Sequence, residues 1–436
     1  MIRSKIFLIS LLFIPSLWSM PPHSPSSQRL IIKKKIGANP RKIEHLYEFS
    51  NLKIENQCKS LAIDFCRSYS ITQDFEDFNS VLLSSGLIES VERDAPLWIT
   101  EFPNDTYYRL QWSLENSKNS DMNVKQAWSR LFPPPHKIII GVIDTGIDFD
   151  HDDLKGNIWI NKQEQPYNGI DDDQNGYIDD QRGWNFYHDN NFPFDSVTHG
   201  THVSGIIGAI TNNGFGIAGI NSHVEFMALK FINTQFGFIS DAIRAIEYAV
   251  LHGAKIINAS WGGGGFSPTL ESTLRFARDH GVLFVAAAGN NGRDIDLAPF
   301  YPASYSISNV LSVASSNIFD RLSSFSNYGE RTVDIAAPGE DILSTIPYNR
   351  FMYNSGTSMA APMVSGVAAY IAAYLPEASA ESITAVMLQA AEPKPSYSGR
   401  VKNAARLNAD IPNLLPQRIS EKILPIIRFL LTESKI

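Results

Sequence analysis

The segment Ile138-Ile-Ile-Gly-Val-Ile-Asp144-Thr-Gly-Ile147 indicates how the main part of this chain is built. Its first residues are apolar and mostly β-branched, which predicts a strand that is buried on both faces. An ionisable residue directly after such a run needs a partner, because an isolated buried carboxylate is costly. Asp144 therefore indicates a functional site at the carboxyl end of a buried strand.

Further strand-like runs follow, and helical periodicities lie between or around them. The strand-like runs cover residues 224–231, 255–259, 282–287 and 310–314, and the helical periodicities cover residues 199–210, 240–252, 268–280, 358–374 and 379–391. This alternation predicts an α/β fold with a mainly parallel sheet flanked by helices. Asn290 also follows a predicted strand, where sites form in such sheets.

Two more segments, His199-Gly-Thr-His202 and Gly356-Thr-Ser358-Met-Ala360, could supply a base and a nucleophile. Ser358 begins a predicted helix, where free N–H groups and the helix dipole stabilise a developing negative charge. Taken alone, Ser358 is better explained as a helix N-cap. The two histidines are three residues apart, but no carboxylate at helix spacing supports a zinc site. One catalytic and one structural histidine are therefore expected.

The order of Asp144, His199 and Ser358, with the residues around them, resembles the subtilisin-like serine proteases. The matching motifs are Asp144-Thr-Gly, His199-Gly-Thr-His-Val, Ala286-Ala-Ala-Gly-Asn290 and Gly356-Thr-Ser358-Met-Ala-Ala-Pro, within a resemblance that runs from about Tyr107 to Asp410. The resemblance implies the three-layer subtilisin-like fold. It also implies that Ser358 attacks the peptide carbonyl, that His199 transfers the proton and that Asp144 orients His199. The side-chain amide of Asn290 and the backbone N–H of Ser358 would hold the oxyanion.

The same resemblance implies a substrate-binding region. Ser260-Trp-Gly-Gly263 is similar to the family's Ser-Leu-Gly-Gly strand, whose backbone pairs with the substrate. The residues implied in substrate binding are Ser260, Trp261, Gly262, Gly263, Ala288, Gly289 and Phe300. Thr198 stands where Gly or Ser is usual, Trp261 replaces Leu, and Phe300 falls near the floor of the primary specificity pocket. These departures leave the chemistry unchanged and the preferred substrate side chain open.

Acidic residues are concentrated between Asp144 and Asp195, a segment with 13 Asp or Glu and 3 Lys or Arg. Such a density of like charge is best tolerated when a hard cation such as Ca²⁺ coordinates it. Residues 171–176 match the first half of an EF-hand loop, but Arg182 stands where the closing Glu is required. A calcium loop closed by Asp179 or Asp180 is one interpretation, and an exposed acidic turn is the other. The candidate ligands are Asp171, Asp173, Asn175, Tyr177 and Asp180.

The resemblance implies a second calcium site outside this EF-hand-like loop. Asp153 and Asn213 match side-chain ligands of the family's strong calcium site, with backbone oxygens near Ile210 and Ile217. Asn212 is a rival to Asn213, because the loop is one residue longer than usual. Calcium is therefore expected as a structural cofactor.

Composition disfavours several other classes of function. The chain has 436 residues, 44% of them hydrophobic, and its formal net charge of −8 argues against a nucleic-acid partner. Its two cysteines, Cys58 and Cys66, lie before the predicted catalytic region, which excludes a cysteine protease there. An esterase would favour a Gly-x-Ser-x-Gly turn, which does not surround Ser358. An inactive binding protein of the same fold would be expected to lack a catalytic residue.

The two ends of the chain suggest processing. Arg3 and Lys5 precede an apolar run, so residues 1–19 are predicted to be a secretory signal peptide, with an uncleaved anchor as the alternative. The resemblance implies that residues 20–102 form a small α+β prodomain, which assists folding and blocks the cleft, and that residues 103–411 form the peptidase domain. Residues 412–436 would be a tail whose apolar run is too short to span a bilayer.

These observations together predict a secreted endopeptidase that acts on protein or peptide substrates, with periplasmic residence as the alternative. Its own propeptide is a second expected partner. We expect neither a nucleic-acid partner nor a stable membrane span, and we expect a monomer.

Overall fold

The computed structural model describes residues 28–35, 37–49, 52–58, 63–68, 80, 82–93, 103–131, 133–234 and 236–411. The predicted signal peptide and C-terminal tail lie outside these residues. The chain divides into two compact units, Met1–Ile99 and Thr100–Ile436. Among the helices within the described ranges, none is both long enough and apolar enough to cross a membrane.

The first unit contains a four-stranded antiparallel sheet and a helix. Its elements are β1 (Gln28–Lys34), α1 (Pro40–Phe49), β2 (Leu52–Cys58), β3 (Ile63–Ser68) and β4 (Ile88–Arg93), with the strands in the order β2-β3-β1-β4. Leu30 and Ile32 are alternate residues of β1, so they share one face of the sheet, and both are fully buried. Ile43 and Tyr47, one helical turn apart on α1, belong to the same apolar cluster. The first unit therefore has a small core of its own.

The second unit is built on a nine-stranded sheet and a separate hairpin. The strands are β5 (Ile138–Asp144), β6 (Gly183–Asn185), β7 (Val224–Lys230), β8 (Ile256–Ala259), β9 (Leu283–Ala287), β10 (Val310–Ser316), β11 (Ile335–Pro338), β14 (Glu392–Pro393) and β15 (Ala405–Arg406), and the hairpin consists of β12 (Ile342–Ile346) and β13 (Arg350–Asn354). The sheet order is β14-β15-β11-β10-β9-β8-β5-β7-β6, and every pairing in it except β14 with β15 is parallel. The predicted mainly parallel sheet is confirmed.

Helices cover this sheet on both sides. They are α2 (Val124–Leu131), α3 (His199–Gly208), α4 (Ile239–Leu251), α5 (Pro268–Asp279), α6 (Thr357–Tyr374) and α7 (Ala380–Ala390). Each strand and helix predicted for this unit from its sequence agrees with an observed element to within two residues at either end. The short strands β6, β14 and β15, and also β11 and the hairpin, were not predicted.

The residues of β5 divide between two apolar clusters, one on each face of the sheet. Ile140 and Val142 belong to the cluster that contains α6, whereas Ile143 belongs to the cluster that contains α4 and α5. A Cβ on Gly141 would lie 3.1 Å from the Cβ of Ala249, so glycine lets α4 pack closely against the strand. The sheet is therefore the middle layer of three, as predicted.

Helix α6 lies in the interior of the second unit. Apart from Ser358 and Tyr374, all of its residues are buried, and most of them are alanine, valine or other small apolar types. A helix that is apolar on every side is stable only in such a core. Ser358, at the first turn of this helix, is therefore held by a helix that is packed on every side.

Candidate active site

Three elements bring Asp144, His199 and Ser358 to one region. Asp144 is the last residue of β5, His199 is the first residue of α3, and Ser358 lies in the first turn of α6. The two ring-to-carboxylate distances from His199 Nδ1 are 2.8 Å to Asp144 Oδ1 and 3.0 Å to Asp144 Oδ2. A proton on Nδ1 satisfies the carboxylate and leaves Nε2 free to act as a base.

The residue after His199, position 200, must be glycine. A Cβ on Gly200 would stand 2.1 Å from the carbonyl oxygen of Gly146 and 3.2 Å from Asp144 Oδ1. The side chain of Asp144 is fully buried, and the Thr145 N–H donates to its Oδ1 at 2.7 Å. The Gly in His199-Gly-Thr-His is thus explained by the close approach of α3 to the end of β5.

The electrostatic surroundings of His199 favour its protonated form. Burial by itself lowers the pKa of His199, but the charge of Asp144 and its hydrogen bond to the ring outweigh this effect, and the charge of Asp195 adds to them. The pKa of His199 is therefore raised above the ordinary histidine value. By contrast, burial lowers the pKa of His202 to about 4, and His202 Nε2 donates to the Met352 carbonyl at 3.1 Å. His202 thus fits the expected structural histidine.

Asp195 organises the loop before His199 and was not singled out from the sequence. It is fully buried, and its carboxylate accepts five hydrogen bonds, from Thr145 Oγ1, Val197 N, Thr198 N, Thr201 N and Thr201 Oγ1. Thr198 has a φ of 141°, a backbone conformation that costs a β-branched residue roughly 1–3 kcal/mol. The bond from the Thr198 N–H to Asp195 helps to hold this conformation directly before His199.

A buried lysine compensates the negative charge at this edge of the sheet. Lys230 ends β7 opposite Asp144 in the strand register, and its Nζ donates to the Thr145 carbonyl. Burial lowers the pKa of Lys230, whereas the charges of Asp195 and Asp144 raise it. Two buried carboxylates are therefore accompanied by one lysine and one histidine.

The hydroxyl of Ser358 points to a neighbouring backbone carbonyl. Ser358 Oγ donates to the Ser260 carbonyl at 2.9 Å, and Ser260 Oγ donates to the Ser358 carbonyl at 2.8 Å. Among the described residues, His199 Nε2 has no hydrogen-bond partner. A rotation about the Cα–Cβ bond of Ser358 is therefore needed before its proton can pass to His199, as is common in a substrate-free site.

Asn290 is held with its amide oxygen occupied. Its Oδ1 accepts from the Thr357 N–H at 2.8 Å and from Thr357 Oγ1 at 2.9 Å. The NH₂ group of Asn290 is thus left to face the cleft, as an oxyanion donor requires.

Asn327, which belongs to none of the sequence motifs, shapes the loop that carries Asn290. It is fully buried, and its Nδ2 donates to the Ala288 carbonyl at 2.8 Å. Its Oδ1 accepts from the backbone N–H groups of Asn291 and Arg293, at 3.0 and 3.2 Å. Gly289 has a φ of +100°, and a Cβ there would stand 2.4 Å from Asn327 Nδ2. The loop therefore depends on this close contact between glycine and asparagine.

One cleft of 1110 Å³ joins these groups. Its lining includes His199, Ser358 and Asn290, and also most of the predicted substrate-binding residues, namely Ser260, Trp261, Gly262, Gly263, Gly289 and Phe300. Ala288 is fully buried behind this surface. The cleft thus brings an imidazole, a serine hydroxyl and an amide group together along one groove.

The predicted strong calcium site contains two buried carboxylates, Asp153 and Asp105, and the exposed residue Asn213. Asp153 Oδ1 accepts from Asn213 Nδ2 at 2.7 Å, and Asp153 Oδ2 accepts from the Ile217 N–H at 2.9 Å. Asp105, which was not predicted, accepts from the N–H groups of Asn212 and Asn213 at 2.9 and 3.4 Å. Burial raises the pKa of Asp153 to about 6, and it also raises the pKa of Asp105. A bound cation would favour the charged form of these carboxylates, whose pKa values burial raises.

In the EF-hand-like loop, a different set of carboxylates converges from the one predicted. Oxygens of Glu164, Asp173 and Asp180 all lie within 4.8 Å of one another, so these three could hold a metal ion. Asp171 Oδ1 and Oδ2 instead accept from the backbone N–H groups of Asn175 and Gly176, at 3.0 and 2.8 Å. Glu164 precedes the motif by seven residues, so the loop pattern gave no reason to include it.

Two other predicted ligands of this loop, Asn175 and Tyr177, lie next to these three carboxylates. Asn175 Nδ2 donates to Asp173 Oδ2 at 3.1 Å and to Asp180 Oδ2 at 2.9 Å. The ring of Tyr177 packs edge-on against Trp184 and Tyr248, at centroid distances of 5.1 Å for each. Tyr177 therefore fixes the loop to the apolar core, and only its backbone remains as a candidate ligand.

Comparisons with known proteins agree with this geometry. Residues 136–412 match the model of the Subtilase family. A thermophilic serine proteinase from Bacillus sp. strain AK1 is 40% identical over 272 residues, which are 62% of this chain and 59% of that protein. Subtilisin-like protease 2 of Plasmodium falciparum is 34% identical over 309 residues, which are 70% of this chain and 22% of that protein. The chain thus spans less than two thirds of the length of these relatives.

A solved structure is also similar. It is a structure of proteases from Pseudoalteromonas arctica PAMC 21717, with a TM-score of 0.58 and 27% sequence identity, and the match covers 71% of this chain and 98% of that one. The family match includes the cleft-lining residues His199, Asn290 and Ser358, and also Asp144, which contacts His199. The chain therefore belongs to the subtilase family of serine peptidases.

Proposed function

We propose that this protein is a secreted serine endopeptidase that uses Asp144, His199 and Ser358. The observation that carries the proposal is the 2.8 Å contact between His199 Nδ1 and Asp144 Oδ1, beside a cleft that Ser358 and Asn290 also line. A buried carboxylate that orients a histidine in this way leaves Nε2 as the base. Protein or peptide chains are the substrates that an open groove of this size would accept.

The first half of the reaction forms an acyl-enzyme. Ser358 Oγ leaves the Ser260 carbonyl, transfers its proton to His199 Nε2 and attacks the substrate carbonyl carbon. The oxygen of that carbonyl becomes negative and accepts hydrogen bonds from Asn290 Nδ2 and the Ser358 N–H. His199 then protonates the leaving nitrogen, and the peptide bond breaks. Asp144 stabilises the imidazolium while this charge exists.

The second half repeats these steps with water. His199 removes a proton from the water, the resulting hydroxide attacks the acyl carbonyl, and the same two donors hold the oxyanion. The proton on His199 returns to Ser358 Oγ as the ester bond breaks, which restores the starting state.

We further propose that Ca²⁺ stabilises the folded enzyme at two sites. Asp105, Asp153 and Asn213 would hold one ion, and Glu164, Asp173 and Asp180 would hold the other. The support is the convergence of buried carboxylates at both places without a lysine or arginine ion pair among the described residues. Oxygen donors of this kind are the ligands that Ca²⁺ prefers.

We propose that residues 1–19 direct export and that residues 20–102 are a propeptide, removed by the enzyme's own site near Pro103. The compact first unit, with its own sheet and core, supports a separately folding prodomain. The mature enzyme would be either exported to the medium or retained in the periplasm.

A serine-directed phosphonate tests the proposed function. The purified protein is treated with the reagent, digested and mapped by mass spectrometry, and casein hydrolysis is measured in parallel. We expect modification of Ser358, with loss of hydrolysis in proportion to labelling. The variant Ser358→Ala should neither label nor hydrolyse casein. Hydrolysis by that variant, or labelling at another serine, would contradict the mechanism.

A further inference from the structure

A lysine is buried at the edge of the sheet that carries Asp144. Lys230 is only 3% exposed, and in the strand register it ends β7 opposite Asp144, the last residue of β5. Paired residues of neighbouring strands place their side chains on the same face of a sheet. Ile143 belongs to the apolar cluster with α4 and α5, so Asp144 and Lys230 point to the other face, toward α3 and α6. The reaction steps proposed above give this buried lysine no role.

Thr145 connects Lys230 to the catalytic groups. The Thr145 N–H donates to Asp144 Oδ1 at 2.7 Å, and Thr145 Oγ1 donates to Asp195 Oδ1 at 2.9 Å. The N–H of Gly200, in the first turn of α3, donates to the same Oγ1 at 2.9 Å. The Thr145 carbonyl accepts from Lys230 Nζ. Every hydrogen-bonding group of Thr145 is therefore occupied, and Lys230 fixes the residue that aligns both carboxylates with α3.

The charges of these groups cancel only when His199 is protonated. Asp144 and Asp195 are fully buried and carry two negative charges when ionised, and Lys230 carries one positive charge. Their sum is negative while His199 is neutral. It becomes zero when His199 is an imidazolium, the form through which each half of the proposed reaction passes. Without Lys230, the two carboxylates would favour protonation of the imidazole more strongly and leave less free base near neutral pH.

Other ionisable side chains also belong to α3 or to the segments packed against its first turn. Burial lowers the pKa of His202 to about 4, so this histidine is neutral near neutral pH. Asp148 is buried, and its carboxylate accepts the N–H groups of Asp150 and Tyr348 at 3.1 and 2.7 Å. Arg350 is exposed, with its guanidinium over the ring of Tyr348. Helix α6 contains no Asp, Glu, His, Lys or Arg. These groups are the same in all the variants below, so they cannot account for a difference between variants.

We propose that Lys230 is a positioning residue for the catalytic pair. Through Thr145 it holds Asp144 and Asp195 in place. Its positive charge keeps His199 a free base at a lower pH than the two carboxylates alone would allow. The inference rests on the proposed peptidase function, which makes His199 the base.

The test is the pH dependence of kcat/KM for one peptide substrate, because its acidic limb reports protonation of the base in the free enzyme. The full chain is expressed and matured as wild type, Lys230→Met, Lys230→Arg and Lys137→Met. Methionine keeps a long apolar side chain but lacks the charge and the N–H donors. We therefore expect Lys230→Met to lower kcat and to move the acidic limb to higher pH by about 0.5–1, less than the change of about 1–3 that a charge at 4–6 Å produces.

Two variants serve as controls for this shift. Lys230→Arg keeps the positive charge and should keep the position of the acidic limb. Lys137 is an exposed lysine directly before the opposite end of β5, so Lys137→Met should keep both the limb and kcat. A shift confined to Lys230→Met would therefore report the charge at position 230.

A double variant separates the charge from other effects of the substitution. Lys230→Met combined with Asp195→Asn removes one positive and one negative charge. Replacing both partners of a buried charge pair is better tolerated than removing one of them. The acidic limb of the double variant should lie close to that of the wild type and above that of Asp195→Asn alone. This comparison decides the inference even where Lys230→Met alone fails to fold.

The outcomes separate this inference from the proposed function. An acidic limb that stays in place, or moves to lower pH, in folded Lys230→Met would overturn the role of Lys230. Equal limbs in Asp195→Asn and in the double variant, or equal shifts in Lys230→Arg and Lys230→Met, would also overturn it. All three results leave the peptidase mechanism standing. Failure of the wild type to hydrolyse any peptide, without phosphonate labelling of Ser358, would overturn the proposed function itself.

Discussion

Two of the regions that hold buried carboxylates in the second unit neutralise them differently. At the carboxyl end of β5, Asp144 and Asp195 are accompanied by His199 and Lys230, whose side chains supply positive charge. In the acidic loop (residues 164–180), which contains the EF-hand-like segment, Glu164, Asp173 and Asp180 receive hydrogen bonds from amides and from one hydroxyl. No lysine or arginine forms an ion pair with them in the part of the chain that the structure describes.

This difference suggests which solution condition, pH or metal-ion concentration, affects each region. The group at the end of β5, proposed above to be catalytic, contains its own compensating cations, so its charge state should respond to pH. The acidic loop lacks them, so it should respond to the concentration of a metal ion. Carboxylates need partners in both places, because desolvated charge is costly. Activity and its pH dependence therefore report on the first region, and the calcium dependence of thermal stability reports on the second.

The largest effect is expected for Ser358→Ala, through loss of the nucleophile. In subtilisin itself, removal of the nucleophile lowers kcat by about a millionfold. We expect the pure variant to remain an unprocessed precursor, because its own site would make the cut near Pro103. Electrophoresis and N-terminal sequencing measure the processing. Its melting temperature should still rise with calcium, since the acidic loop is separate from the chemistry.

A trace of active wild-type enzyme added to this precursor is the control. We expect it to cut the variant in trans, which would show that the cleavage site is accessible. Normal processing of the variant without any added protease would contradict autocatalytic maturation.

A smaller but still large effect is expected for Asn290→Ala. Removal of one oxyanion donor lowers kcat by about 10²–10³-fold, the magnitude known for the corresponding subtilisin residue. The neighbouring variant Asn291→Ala is the matched control and should retain activity. Because Asn290 Oδ1 also accepts two hydrogen bonds from Thr357, some loss of thermal stability is expected as well. Undiminished kcat in Asn290→Ala would remove Asn290 from the catalytic site.

Calcium removal should act on stability. A ligand at a hundredfold excess over its dissociation constant stabilises the folded state by about 2.7 kcal/mol per site. For a domain of this size, that corresponds to roughly 5 °C in melting temperature. We expect chelation of Ser358→Ala, which cannot digest itself, to lower the melting temperature by at least this amount. Added millimolar calcium should restore it, as followed by calorimetry.

Variants show how much of the rise in melting temperature with calcium comes from each of the two proposed calcium sites. Glu164→Gln combined with Asp173→Asn should remove one part of the calcium response, and Asp105→Asn combined with Asp153→Asn should remove another. Asp150→Asn, an exposed acid of the same segment, is the matched control and should keep the full response. Equal melting temperatures in chelator and in calcium would mean that both acidic groups are only solvated.

The smallest effect is expected in the pH dependence of kcat/KM. The base must be neutral, so activity should fall as pH decreases through the raised pKa of His199, above the ordinary histidine value. Asp195→Asn removes a charge that raises this pKa, so it should move the acidic limb to lower pH. Asp279→Asn, on the exposed side of α5, should leave the limb in place. If the acidic limb of the pH profile were unchanged in Asp195→Asn, the charge of Asp195 would have no effect on the pKa of His199.

The contribution of the His199–Asp144 pair to folding stability should fall as pH rises, whereas activity should rise with pH over the same range. Because the folded-state pKa of His199 is raised, its ion pair with Asp144 contributes stability that is complete below the ordinary histidine pKa. That contribution is lost as pH rises through the raised pKa. Thermal unfolding of Ser358→Ala and of Ser358→Ala with Asp144→Asn, compared across this range, measures it.

The sequence by itself determined the features that are local in the chain. Apolar runs and helical periodicities placed the main strands and helices, because burial patterns are set by neighbouring residues. Asp144, His199, Asn290 and Ser358 each stand at the end of a predicted strand or the start of a predicted helix, within a short and specific motif. These positions could be identified without coordinates, since the motif that positions each side chain surrounds it in the sequence.

Tertiary structure alone decided the partners that lie far apart in the chain. Asp195 meets Thr145, and Asn327 meets Ala288, across separations of 50 and 39 residues, so no local pattern distinguishes them from other polar residues. Glu164 approaches Asp173 and Asp180 only because the acidic loop folds back on itself. Phe300 likewise fills the space between Gly262 and Gly289 only when three separate segments are brought together. The reason is physical: desolvation and close packing depend on distance in space, which the order of residues does not contain.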